Sequence, residues 1–290
     1  MKYGLLLFLF LSLYTKVRAQ EIPYFAHLNN IQFNPASAGS TENPEINLLS
    51  NSLMANYNYN QTRALPNLYI FSAEADIERF SSGVGTIFRY YEYSNVKQYS
   101  PALAYNYKIK FSKISNLRLG VQLTYTQSIT SGDQYNPVQK TQNYFYVNIG
   151  LWYKIDKLNI GLSLNSDSTH HFNTNYLNAF YTFELNHLDI TPAIIYKTII
   201  NNGSPDISYF LSFMVKKMFM LGVSYNSYDA YDFLSAYIGI KLDNRASLCV
   251  SYNKALNLFP ENFTKWGLSA KYEFYSAKKR IIKNDSYNEE

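Results

Sequence analysis

The chain has 290 residues, a formal net charge of +5 and only 16% charged residues, yet its mean hydropathy is slightly negative at -0.24. Neutral polar groups and aromatics, 29 Tyr and 19 Phe among them, replace the missing charge, which excludes a disordered, collagen-like or linker protein. Beyond the first twenty residues every apolar run is broken by Asn, Ser, Lys or Tyr, short of the roughly 18 residues that a spanning helix needs, so a helical membrane protein is excluded too.

Residues 1–19 read as an export signal: Lys2 opens it, an apolar stretch runs from Gly4 to Tyr14, and Val17-Arg18-Ala19 offers small residues for cleavage. The mature chain then starts near Gln20, and no Cys follows the apolar stretch to take a lipid anchor. Removing Lys2, Lys16 and Arg18 takes the charge from +5 to +2, which weakens the argument for nucleic-acid binding from the basic pI, and no nucleic-acid partner is expected. The lone Cys249 has no partner for an internal disulfide, and no Cys cluster suggests a metal or iron–sulfur centre.

Residues 20–43 carry no strand pattern. Asn34-Pro35 is a turn signal, because Pro fixes its own φ and Asn hydrogen-bonds nearby backbone, while Gly39 permits a positive φ. The segment is expected to be an ordered lead-in, capping one mouth of the fold or entering it as a plug.

From residue 44 to 275 a period of two takes over. Leu117, Leu119, Val121, Leu123 and Tyr125 alternate with Arg118, Gly120, Gln122, Thr124 and Thr126, and Leu158, Ile160, Leu162 and Leu164 alternate with Asn159, Gly161, Ser163 and Asn165. Strands are expected at 45–56, 68–78, 83–93, 99–111, 116–128, 144–154, 158–167, 175–185, 188–199, 206–215, 218–226, 232–242, 246–254 and 265–275. Most are as long as a tilted strand that crosses a bilayer, and longer than the usual strand of soluble sheets. Every even-to-odd connection is short, while several odd-to-even ones, notably 129–143 and 255–264, are long and polar. That phase matches a barrel with short periplasmic turns and long outer loops, with both termini in the periplasm. The fold class is therefore all-β: a transmembrane antiparallel β-barrel of about 14 strands, closed because hydrocarbon tolerates no unpaired sheet edge.

In this register Glu74, Asp76, Arg89, Lys108, Lys110 and Arg118 point into the lumen, as do Lys154, Lys197, Lys241 and Lys271. The acidic pair Glu74 and Asp76 is expected to pair across strands with Arg89. Tyr and Phe near strand ends are expected to form interfacial girdles and to touch outer-membrane lipid. His27, His170, His171 and His187 belong to no nucleophile elbow or zinc-binding pattern, so no catalytic, metal or cofactor residue is assigned and the chain is not expected to be an enzyme. Residues 276–290, with Lys278-Lys279-Arg280, leave the barrel pattern and read as a polar periplasmic tail.

Gln20, Pro23 and Phe25, followed by Asn34, Pro35, Ala36, Ala38 and Gly39, resemble the opening of the PorP/SprF family, outer-membrane proteins of the type IX secretion system of Bacteroidetes. The resemblance implies a non-enzymatic barrel that helps secrete or anchor surface proteins such as gliding adhesins. It implies as partners the translocon, periplasmic secretion components and cargo carrying a type IX C-terminal domain, with the motif residues as a possible partner contact. The alternative from another class is a channel or transporter for small solutes, its selectivity set by the lumenal charges.

Overall fold

The computed structural model describes residues 29–41, 43–52, 67–93, 95–131, 139–166, 172–199, 205–227, 232–242, 245–256 and 264–274. The export signal, Pro23, Phe25, His27, His170, His171 and the tail at 276–290 lie outside them. The described residues form strands β1 (Glu45–Ser52), β2 (Asn67–Ile77), β3 (Ser82–Tyr93), β4 (Val96–Lys110), β5 (Ser115–Thr130), β6 (Lys140–Ile155), β7 (Leu158–Ser166), β8 (Phe172–Tyr181), β9 (Phe183–Leu185), β10 (Leu188–Ile199), β11 (Asp206–Val215), β12 (Phe219–Ser227), β13 (Asp232–Leu242), β14 (Ala246–Ala255) and β15 (Thr264–Glu273). All pairings are antiparallel and join chain neighbours, except that β8 pairs with β10 past the short β9, and β15 returns to β1, so the sheet closes on itself.

β8 and β9 are one wall strand. Both pair with β10 in an unbroken register, Ala193 opposite Phe180 and Ile190 opposite Phe183. The ladder lapses between them because Pro192 of β10 has no N–H to give. The Thr182 and Thr191 hydroxyls meet at 3.0 Å and bridge the gap. The barrel wall therefore has fourteen strands.

The burial pattern is inside-out relative to a soluble sheet. On β4, Leu103 and Tyr105 face outward at 69% and 49% exposure, while Ala104 and Asn106 between and after them are buried. The same outward row continues through Leu119, Val121 and Leu123, Ile149 and Leu151, Leu162, Leu221 and Val223, Ile238, Val250 and Leu268. That belt belongs in hydrocarbon, where closure satisfies every ladder group. Aromatics flank it: Phe80, Phe111, Phe183, Phe219 and Phe274 near the short turns, and Tyr69, Tyr225, Tyr252 and Trp266 toward the other rim, all exposed. β5 and β6 reach 16 residues each, longer than expected. Their extra rows, including the exposed Lys140, Thr141, Gln142 and Asn143, are polar and extend past the apolar belt.

Replacing Leu103, at mid-height of β4, by Arg is expected to destabilise the folded barrel by about 2–4 kcal/mol, whereas Arg at Phe111, in the turn after β4, costs about 0–1 kcal/mol. Urea titration of folding into lipid vesicles reads both, and equal costs at the two sites would contradict the depth assigned to this belt.

Candidate functional site: a segment seated in the lumen

The residues Asn29–Gly39 lie inside the barrel, and the sequence dictates how they turn there. Asn34 is extended at φ −137, its Oδ1 accepts the Ala36 N–H at 3.0 Å, and Pro35 occupies the first position of the short 3-10 turn Pro35–Ser37. This is a side-chain cap followed by a residue that has no N–H to satisfy. A second 3-10 turn spans Asn30–Gln32. Gly39 then takes φ +61, and a Cβ there would lie 2.3 Å from the carbonyl oxygen of Ala75, so neither the conformation nor the space admits a side chain.

The wall holds this segment mostly through its backbone. The Asn34 amide donates to the carbonyls of Leu151 on β6 at 2.8 Å and Leu162 on β7 at 3.3 Å. Ser163 donates to the Phe33 carbonyl at 2.6 Å, and Asn29 donates to the Ser72 hydroxyl at 2.9 Å. The Ala38 carbonyl receives both Asn106 Nδ2 at 2.5 Å and Arg118 Nη1 at 3.1 Å. Glu74 accepts the Gly39 N–H at 2.6 Å, and Arg89 donates to the Gln32 carbonyl. Close approach is possible because the wall lacks side chains where the segment touches it. A Cβ on Gly120 would lie 2.3 Å from the Ala36 nitrogen, and one on Gly150 would lie 2.1 Å from Asn34 Oδ1.

Apolar contacts complete the seat. Phe33 packs with Ala193, Ile195, Phe210 and Phe233 and meets the Tyr176 ring at 5.5 Å. Ile31 and Ala38 join Leu49, Ile70, Ile87, Ala102 and Ala104. These lumenal apolar residues break the polar-inside pattern at the level where the segment crosses.

Of the charges expected in the lumen, Glu74, Asp76, Arg89, Lys108 and Arg118 face inward with little exposure, but their partners differ from the expected ones. Arg89 does not pair with the acidic residues. Gly85 and Gly83 stand opposite Glu74 and Asp76, and Arg89 lies higher, opposite Ile70, where it reaches the Gln32 carbonyl instead. Asp76 pairs with Lys108 and, at 3.3 Å, with Arg118. Lys110 shares the lumenal parity of β4 but is its last residue and is exposed at the rim, which corrects its assignment to the lumen.

Sequence reading missed Glu45, whose carboxylate is 2.5 Å from Lys271 and directly opposite Glu74. It also missed Asp206, 3.6 Å from Lys197, both of them 2% exposed. Each missed acid is the first residue of its strand, where alternation has not yet begun. Strict continuation of parity into the strand end was the signal that finds them.

Asn34→Ala removes two wall bonds and a turn cap and is expected to cost roughly 2–4 kcal/mol. Asn34→Asp keeps the cap but sets a carboxylate against two carbonyls, so it is expected to cost at least as much. Denaturant titration of the refolded chain checks the order, and a silent Asp variant would place the donated bonds elsewhere.

An outward apolar belt, an inward polar wall and a lumenal segment define a β-barrel membrane protein. Residues 17–272 match the family model for "Type IX secretion system membrane protein PorP/SprF", and the chain belongs to that family. That description names a membrane protein of a secretion system, which implies partners in that machinery. No curated protein matches the chain. Among solved structures, a FadL homologue of Pseudomonas aeruginosa is similar with a TM-score of 0.58 at 10% identity, covering 90% of this chain and 100% of that one, a likeness of fold. The KdgM porin gives 0.41 at 9% identity, covering 80% and 99%.

Proposed function

We propose that this barrel is a non-enzymatic outer-membrane component of type IX secretion that helps to secrete or anchor surface proteins, gliding adhesins among them. In this reading the short-turn rim and both termini face the periplasm, the long connections at 129–143 and 255–264 grip the C-terminal domain of the cargo outside, and the lead-in with Pro23, Phe25 and Asn34–Gly39 bears on the translocon. The observation that favours a scaffold over a solute channel is the Asn29–Gly39 segment. At least seven wall side chains or carbonyls bind it, and Glu74, Asp76, Arg89, Lys108 and Arg118, charges that would set a channel's selectivity, are spent on that seat or on one another.

Two measurements on the purified full-length chain test the reading. In planar bilayers the wild-type barrel is expected to show no large steady conductance; such a conductance would favour the channel. In pull-downs, loss of cargo on deleting both long connections is expected, and unchanged recovery would remove the proposed grip.

A further inference from the structure

The short-turn rim is a stiff ring. Its backbone is stitched from turn to neighbouring strand: Lys108 N–H to the Ser81 carbonyl, Asp156 to Ile114, Lys216 to His187 and Lys241 to Met218, at 2.6–2.7 Å. The ring also carries free cations. Five of its six turns carry a Lys or Arg, and among the described residues Lys110, Lys113, Lys154, Lys216 and Lys217 have no carboxylate within ion-pair distance; Lys157 is paired, with Glu184 at 3.0 Å. The exposed acids Glu78 and Asp156 offset the cations of the β2–β3 and β6–β7 turns, which leaves the β4–β5 and β11–β12 turns as the cationic ones.

The β11–β12 turn adds a second observation. Lys216 and Lys217 sit side by side at φ +51 and +55, the left-handed conformation that side chains bearing a Cβ adopt at a cost and for which Asn-Gly is the relaxed choice. Two adjacent like charges are thus presented on a strained, hydrogen-bonded turn tip, both exposed. Lys110 and Lys154 add cations of lumenal parity, on β4 and β6, so the wall stands between them and any lipid headgroup.

We propose that this rim is a preformed docking platform for an acidic protein segment in the aqueous compartment that the short turns face, gripped by Lys110, Lys113, Lys154, Lys216 and Lys217. A hydrogen-bonded rim backbone presents these cations to a polyanion without having to order its main chain, and the contact is electrostatic and salt-sensitive. It does not depend on the cargo reading.

The test uses the full chain in phosphatidylcholine nanodiscs and a fluorescein-labelled polyglutamate peptide, read by anisotropy at low and high salt. Binding that weakens about tenfold in the combined variant Lys110→Gln, Lys113→Gln, Lys216→Gln, Lys217→Gln, one decade of affinity, is expected. A control with Lys140→Gln and Lys254→Gln, both exposed toward the opposite rim, is expected to bind like the wild type. Heat-modifiable gel mobility verifies that every variant is a folded barrel. Absent binding, equal weakening in the control, or loss of binding when phosphatidylglycerol replaces phosphatidylcholine, which would assign the lysines to lipid headgroups, each overturns the proposal.

Discussion

Replacing Lys271 by Met is expected to lower the unfolding free energy of the barrel by roughly 3–5 kcal/mol, the cost of leaving a buried charge without its partner. Lys271 is the ion-pair partner of Glu45, whose side chain is only 2% exposed. Glu45 stands directly across the β1–β2 ladder from Glu74, so losing the lysine leaves two inward carboxylates facing each other. Glu273 is the lesser loser, because Lys241 still lies 3.6 Å from it. The effect falls on the β15–β1 seam, where Asn47 pairs with Lys271 and the wall closes. Adding Glu45→Gln to Lys271→Met removes the stranded charge and is expected to recover most of the loss. Urea midpoints for the two single variants and the double variant make the cycle, and simple addition of the two costs would show that the pair does not interact.

Gly120→Val is expected to unseat the lumenal segment while leaving the wall intact. The new Cβ would lie 2.3 Å from the nitrogen and 2.5 Å from the Cα of Ala36, and backbone has no rotamer by which to yield. The β5 register on either side, Leu119 opposite Leu151 and Val121 opposite Ile149, faces lipid and is untouched. Normal heat-modifiable mobility together with a conductance well above that of the wild type is the expected result. Equal conductance with the segment still protected from protease would show that Gly120 does not carry the contact.

The wall was legible in the sequence because lipid and lumen demand opposite chemistry of successive residues. The Leu117–Tyr125 alternation marks the central part of β5, and the fourteen-strand wall and its short turns match the expected pattern. The split after Tyr181 was not legible there, since its cause, Pro192, lies on the neighbouring strand. The Asn34-Pro35 turn and the positive φ of Gly39 were readable because each is a local property. The seat was not: its hydrogen bonds join residues 35 to 130 positions apart, and many end on backbone carbonyls that no residue type announces. Reading charges as candidates for mutual pairing misplaced the partner of Arg89 for the same reason, since Gln32 offers it a carbonyl rather than a carboxylate.

A single disulfide tests most directly whether a membrane barrel holds this segment inside. With Cys249, the chain's only cysteine, replaced by Ala, cysteines at Asn29 and Ser72 stand where the two side chains now touch at 2.9 Å. Mild oxidation of the membrane-embedded chain is expected to join them, seen as a shift in non-reducing mobility. Two free thiols, both labelled by a maleimide added from water, would contradict a segment seated in the lumen.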